Sequence, residues 1–98
     1  MWYSRGVKLL ILYRPNSDHA TTTEGFVRDF QRQHDIDPRN IELMSIDTRE
    51  GAAKASVYGI VSYPAIVVLA NDGAVLNMWM GEPLPLMSEV AGYTFAQQ

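Results

Sequence analysis

The chain contains no cysteine in its 98 residues. Disulfides, thiolate metal sites and every reaction that uses a thiol of this chain are therefore excluded. Histidine is scarce too: His19 and His34 are the only two, and neither is accompanied by acids at the spacing a metal site needs. No metal or other cofactor is expected. Long hydrophobic runs are also missing. The apolar stretch Leu9, Leu10, Ile11, Leu12 follows Arg5 and Lys8, but it is too short for the core of a secretory signal and no small-residue cleavage site follows. A membrane-crossing helix needs about 20 apolar residues, so no membrane partner is expected and a cytoplasmic location is the default. There is no excess of positive charge, because acids and bases are mixed along the chain to a net charge of -3. A basic stripe that could neutralise phosphates is absent, which argues against nucleic-acid binding.

What is present describes an ordinary folded domain. The hydrophobic share is 47% and the charged share 19%, well away from the composition of disordered chains. A chain of this length can bury roughly two thirds of its unfolded surface. One domain spanning residues 1–98 is expected, without linker, repeat or low-complexity segment.

The residues from Lys8 to Tyr13 are continuously apolar after the lysine and stop at Arg14, Pro15 and Asn16, the pattern of a strand covered on both faces. From Ser17 the signals become helical. Ser17 and Asp18 are good N-caps, Thr21 and Glu24 have capping-box spacing, and Phe26, Val27 and Phe30 recur at helical intervals. This helix should end in the region 34–37, before Pro38. A second strand follows over 41–46, and strand, helix, strand in so short a span implies a parallel pair. Residues 48–58 read as an alanine-rich helix with Ala53 and Val57 on one face, closed by Gly59 in a left-handed cap. Two strands over 65–69 and 74–79 flank Ala70, Asn71, Asp72 and Gly73, a tight-turn composition. After Pro83 and Pro85, a last helix should turn Leu86, Val90 and Tyr93 inward.

This order, and above all the stretch Tyr58, Gly59, Ile60, Val61, Ser62, Tyr63, Pro64, Ala65 leading into a strand and hairpin, resembles the thioredoxin-like superfamily of thioredoxins and glutaredoxins. The resemblance covers the chain from Lys8 to about Tyr93. It implies an α/β fold of order βαβαββα: a four-stranded mixed sheet ordered 2-1-3-4, helices one and three on one face and helix two on the other. It also implies a cis peptide bond before Pro64 and a glycine, Gly81, beside which a bound peptide can approach.

The departure lies at the redox motif, where the family carries two cysteines separated by two residues. The matching positions are Ser17, Asp18, His19 and Ala20. The buried acid that thioredoxins carry in the preceding strand also has no counterpart among residues 9–12. A serine hydroxyl needs a neighbouring base to become a nucleophile. Ser17, Asp18 and His19 invite a hydrolase reading, but three consecutive residues at a helix start project in different directions, and the positive potential there discourages protonating His19. Capping by Ser17 or Asp18 is the plainer role.

Recognition is the function left open. A helix start offers amides to anions, and Arg14 could add a cation for a carboxylate. In glutaredoxin-like relatives this region holds glutathione. The residue before the family's cis-proline offers its backbone to an extended peptide, which would assign that role to Ser62, Tyr63 and Pro64. Tyr63 fits packing equally well. The expected groove is therefore Arg14, Asn16, Ser17, Asp18, His19, Ala20, Ser62, Tyr63, Pro64 and Gly81. Its ligand would be a protein or peptide partner or a glutathione-like small molecule. The leading expectation is a redox-inactive binding module. One alternative is an oxidoreductase disabled by natural or engineered loss of its cysteines. The other is a structural subunit acting through its edge strand and the apolar group Met78, Trp79, Met80 and Met87, as a monomer or weak homodimer.

Overall fold

The computed structural model describes residues 7–34, 38–70 and 72–96. Strand β1 (Lys8–Tyr13) lies in the interior of a four-stranded sheet ordered β2-β1-β3-β4, which is why its sequence is apolar on both faces. It runs parallel to β2 (Ile41–Ser45), with Leu9 opposite Ile41, and antiparallel to β3 (Ala65–Leu69), with Ile11 opposite Ile66. The antiparallel edge strand β4 (Val75–Met80) completes the sheet, with an irregularity opposite Val68 and Leu69.

Alternate side chains of a strand point to opposite faces, and the sheet accordingly separates two cores. Leu9, Ile11, Ile66 and Val68 face helices α1 (Ala20–His34) and α3 (Met87–Ala96) through Phe26, Phe30, Val90 and Ala91. Leu10, Leu12, Ala65 and Val67 face α2 (Arg49–Tyr58) through Ala55, with Ile60 just beyond it. Each of the larger side chains among them, valine, leucine, isoleucine or phenylalanine, contributes about 1.5–3 kcal/mol on withdrawal from water, before the entropy of ordering is charged against it. The expected strand order and helix placement are both found.

The differences are local. Helix α1 begins at Ala20, one or two residues later than an N-cap at Ser17 or Asp18 would place it, because residues 16–19 form turns. Asn16 adopts a left-handed backbone there, with φ of 61°. Glu24 does not complete a capping box: its carboxylate accepts the Tyr13 hydroxyl at 2.7 Å. The helix ends at His34, and residues 35–37 lie outside the described residues.

In α2 the inward face is Gly51 and Ala55, whereas Ala53 and Val57 are exposed. At Gly51 the helix comes too close to the Ser45 carbonyl for any larger residue. Gly59 closes α2 as the sequence suggests, while Thr48, expected inside the helix, is its N-cap. Thr48 Oγ1 accepts the Gly51 amide at 2.9 Å, and Gly59, with φ of 69°, donates to the Ser56 carbonyl while Ile60 donates to that of Ala55. At the hairpin the Gly73 amide donates to the Ala70 carbonyl; Asn71 lies outside the described residues.

Strand β4 is shifted one residue from expectation, and α3 starts only at Met87, which leaves Leu86 exposed rather than inward. Val90 is buried and Tyr93 packs beside it, its ring edge against Trp79 at 5.7 Å. Met78, Trp79, Met80 and Met87 do not form one cluster. Trp79 and Met87 pack on the α1/α3 face, Met78 packs on the α2 face, and Met80 is exposed. Among the described residues no helix is long and apolar enough to cross a membrane.

Candidate functional site

The turn between β1 and α1 is built around the backbone of Arg14. Its amide donates to Nε2 of His19 at 3.1 Å, and its carbonyl accepts the Ser17 hydroxyl. The Ala20 amide donates to the Ser17 carbonyl. The His19 carbonyl accepts both the amide of Thr23, at 3.0 Å, and its hydroxyl, at 2.8 Å. Thr23 is fully buried, so its hydroxyl needs that partner. The Ser17 hydroxyl is therefore directed backwards onto the loop instead of forwards as a helix cap. Nor do Ser17 and His19 make a nucleophile and base: the hydroxyl is bonded to Arg14, and the Nε2 lone pair is occupied by the Arg14 amide.

Arg14 itself turns away from the helix start. Its guanidinium pairs with Asp47, after β2, at 3.5 Å. Both groups are well exposed, and such a pair contributes little to stability, on the order of 0–1 kcal/mol. It does, however, engage the cation expected to receive a carboxylate.

On the far side of the site, the Tyr63–Pro64 peptide bond is cis, as is Glu82–Pro83. Pro64 is buried, Ser62 is exposed, and Tyr63 is half-buried against the α2 core. Gly81, with φ of 82°, donates its amide to the Pro64 carbonyl at 2.9 Å. A Cβ at Gly81 would lie 3.6 Å from that of Ser62. The end of β4 is thus tied directly to the Pro64 loop.

Between these two walls lies a cavity of about 420 Å³, lined by His19, Thr22, Thr23, Pro64, Glu82, Pro83 and Leu84. Of the ten residues expected in the groove, His19 and Pro64 line it, and Ser62 and Gly81 adjoin its rim. Ala20 is buried beneath the helix start. Arg14 is drawn toward Asp47, Tyr63 is committed to packing, and Asn16, Ser17 and Asp18 belong to the turn behind His19. The sequence reading missed Thr22, Thr23 and the wall formed by Glu82, Pro83 and Leu84. The two prolines at 83 and 85 were the available signal, since they mark a rigid segment just after Gly81.

The comparisons bear on the fold. No family model matches the sequence, and no curated protein matches it. Solved structures do match. A thioredoxin mutant from Halobacterium salinarum is 22% identical over 95% of this chain and 75% of its own, with a TM-score of 0.72. Thioredoxin-2, described as a component of malaria parasite protein secretion machinery, is 15% identical over 97% of this chain and 86% of its own, with a TM-score of 0.70. Thioredoxin 1 from Thermosipho africanus is 15% identical over 91% and 90%, at a TM-score of 0.63.

The fold is thioredoxin-like. On this thioredoxin-like scaffold the helix-start loop and the Pro64 loop face one cavity, and the chain contains no cysteine to place there. Thiol-disulfide exchange requires a thiolate of the catalyst to attack a disulfide sulfur, so this chain cannot perform that step. The chemistry its cavity offers is that of contact: apolar walls from Pro64, Pro83 and Leu84, a hydroxyl from Thr22, an imidazole and a carboxylate.

Proposed function

We propose that this chain is a thiol-free binding module whose thioredoxin-like groove receives an extended segment of a peptide or protein partner. The observation that carries the reading is the cavity of about 420 Å³ between His19, Pro64 and the Glu82 to Leu84 wall. That volume lies toward the small end of ligand sites, which run to about 1,000 Å³, and it suits one or two side chains of a longer ligand. Its lining is apolar with a few polar groups, the composition that anchors a side chain and orients its backbone. Ser62, exposed beside Pro64, leaves main chain accessible next to the cavity for strand-like pairing with a bound segment. The turn at Arg14 supports the reading from the other side. Its internal hydrogen bonds hold His19 in one orientation, and a preordered wall loses less entropy on binding.

Backbone amide NMR titration with a pool of unfolded peptides tests the reading. Shifts concentrated at His19, Thr22, Thr23, Ser62, Glu82 and Leu84 are expected. Silence at these positions, or shifts confined to the β4 edge, would remove the groove as the binding surface.

A further inference from the structure

Among the described residues lining the cavity, Glu82 is the only carboxylate or permanently charged side chain. The segments that frame the opening, residues 14–20 and 81–86, contain Arg14, Asp18 and Glu82 as their charged residues. Arg14 already faces the carboxylate of Asp47 at 3.5 Å, so its charge is substantially offset. The remaining positive contribution is the start of α1, equivalent to about half an elementary charge. Two of its amides, those of Ala20 and Thr23, are already bonded to the carbonyls of Ser17 and His19. Half a charge does not cancel the full charge of Glu82, still less with Asp18 exposed in the adjoining turn. On His19, Nε2 accepts the Arg14 amide, which leaves the ring proton on Nδ1 and adds no net charge. Alongside this negative balance, the walls contributed by Pro64, Pro83 and Leu84 are apolar.

We infer that the groove selects an apolar side chain flanked by a cationic one, with Glu82 as the specificity-determining residue. The inference rests on the binding reading above and gives it a ligand chemistry. Charge complementarity across such a site discriminates between partners more than it adds affinity. It also inverts the expectation drawn from Arg14 in the sequence, because an acidic ligand such as glutathione meets Glu82 and Asp18 instead of a free guanidinium.

The test uses the full chain and three heptapeptides of one sequence, each with a central leucine flanked on both sides by lysine, by glutamine or by glutamate. Affinities are read by amide NMR at about 20 mM salt and again at about 500 mM, where the screening length is a few ångströms. At low salt the lysine peptide is expected to bind about two- to five-fold tighter than the glutamine peptide, the range of a solvent-exposed ion pair, and the glutamate peptide more weakly than either. Glu82→Gln should shrink the lysine-over-glutamate preference to the small remainder that Asp18 supplies, Glu82→Lys should reverse it, and high salt should compress it. The amide spectra of both variants establish that the fold is kept. Equal binding of the three peptides to the parent chain, or an order undiminished by Glu82→Gln, would overturn the charge preference and leave the groove reading standing. Failure of all three peptides to bind would overturn both.

Discussion

Tyr13 closes β1 with its ring buried and its hydroxyl donating to Glu24 on α1. The hydrogen bond to that carboxylate, then burial, then the carboxylate's charge raise the phenol above its usual value of 10.0. A raised value in the folded state means that folding favours the protonated phenol. Its contribution is complete below about pH 10, where the unfolded phenol begins to ionise, and is lost as pH rises through the higher folded value. Tyr13→Phe removes one hydrogen bond to a charged acceptor, at an expected cost of about 1–2 kcal/mol near neutral pH. The variant should also lose stability less steeply than the parent above pH 10. Urea unfolding at pH 8 and in the alkaline range checks both parts, and equal alkaline slopes would show that the Tyr13 proton is not linked to folding.

The elements are fixed by their ends and by how closely they approach each other. Thr48 opens α2 by accepting from the Gly51 amide and donating to the Ser45 carbonyl, which joins the helix to the end of β2. Gly51 sits directly over that junction. A Cβ there would overlap the Ser45 carbonyl oxygen and lie 2.7 Å from its carbon. Alanine normally favours a helix over glycine by about 1 kcal/mol, yet Gly51→Ala is expected to destabilise the protein by about 1–3 kcal/mol, because a packed backbone must move. Gly92 provides the control: it lies in α3 with open space around its missing Cβ, so Gly92→Ala should be neutral or stabilising. Thermal unfolding of the two variants decides the matter, and a stabilised Gly51→Ala protein would mean that β2 and α2 separate easily.

At the scale of the whole molecule, one sheet divides two cores. Phe30 and Phe26 stack on the α1/α3 side, whereas Ala55 and Ile60 pack on the α2 side. Strands β1 and β3 contribute alternate residues to both, so neither core can be lost without uncovering strands that the other needs. Phe30→Ala is expected to cost about 3–5 kcal/mol and Ile60→Ala about 2–5 kcal/mol. Each should shift a single transition seen identically by far-UV circular dichroism and intrinsic fluorescence, as two-state folding requires. Separate transitions in either variant would mean that the two faces fold independently.

The legible parts of this protein were those governed by local chemistry. Continuous apolar runs marked β1 and β3 because both are covered on two faces. Gly59 marked the end of α2 because a left-handed backbone is what closes many helices. The absence of cysteine settled the loss of thiol chemistry without any structure. Other features depended on distance through space. Nothing local indicated that Glu24 would turn to Tyr13, that Arg14 would pair with Asp47, or that α2 would approach β2 too closely for anything but glycine at position 51. The cavity wall was hidden for the same reason: Glu82, Pro83 and Leu84 lie some sixty residues from His19 in the chain and meet it only when the sheet closes. Periodicity and capping are written within a few residues of one another and determined the strands, helices and lost chemistry. The groove's shape and charge were decided by long-range packing, which brings together residues that carry no mark of their partners.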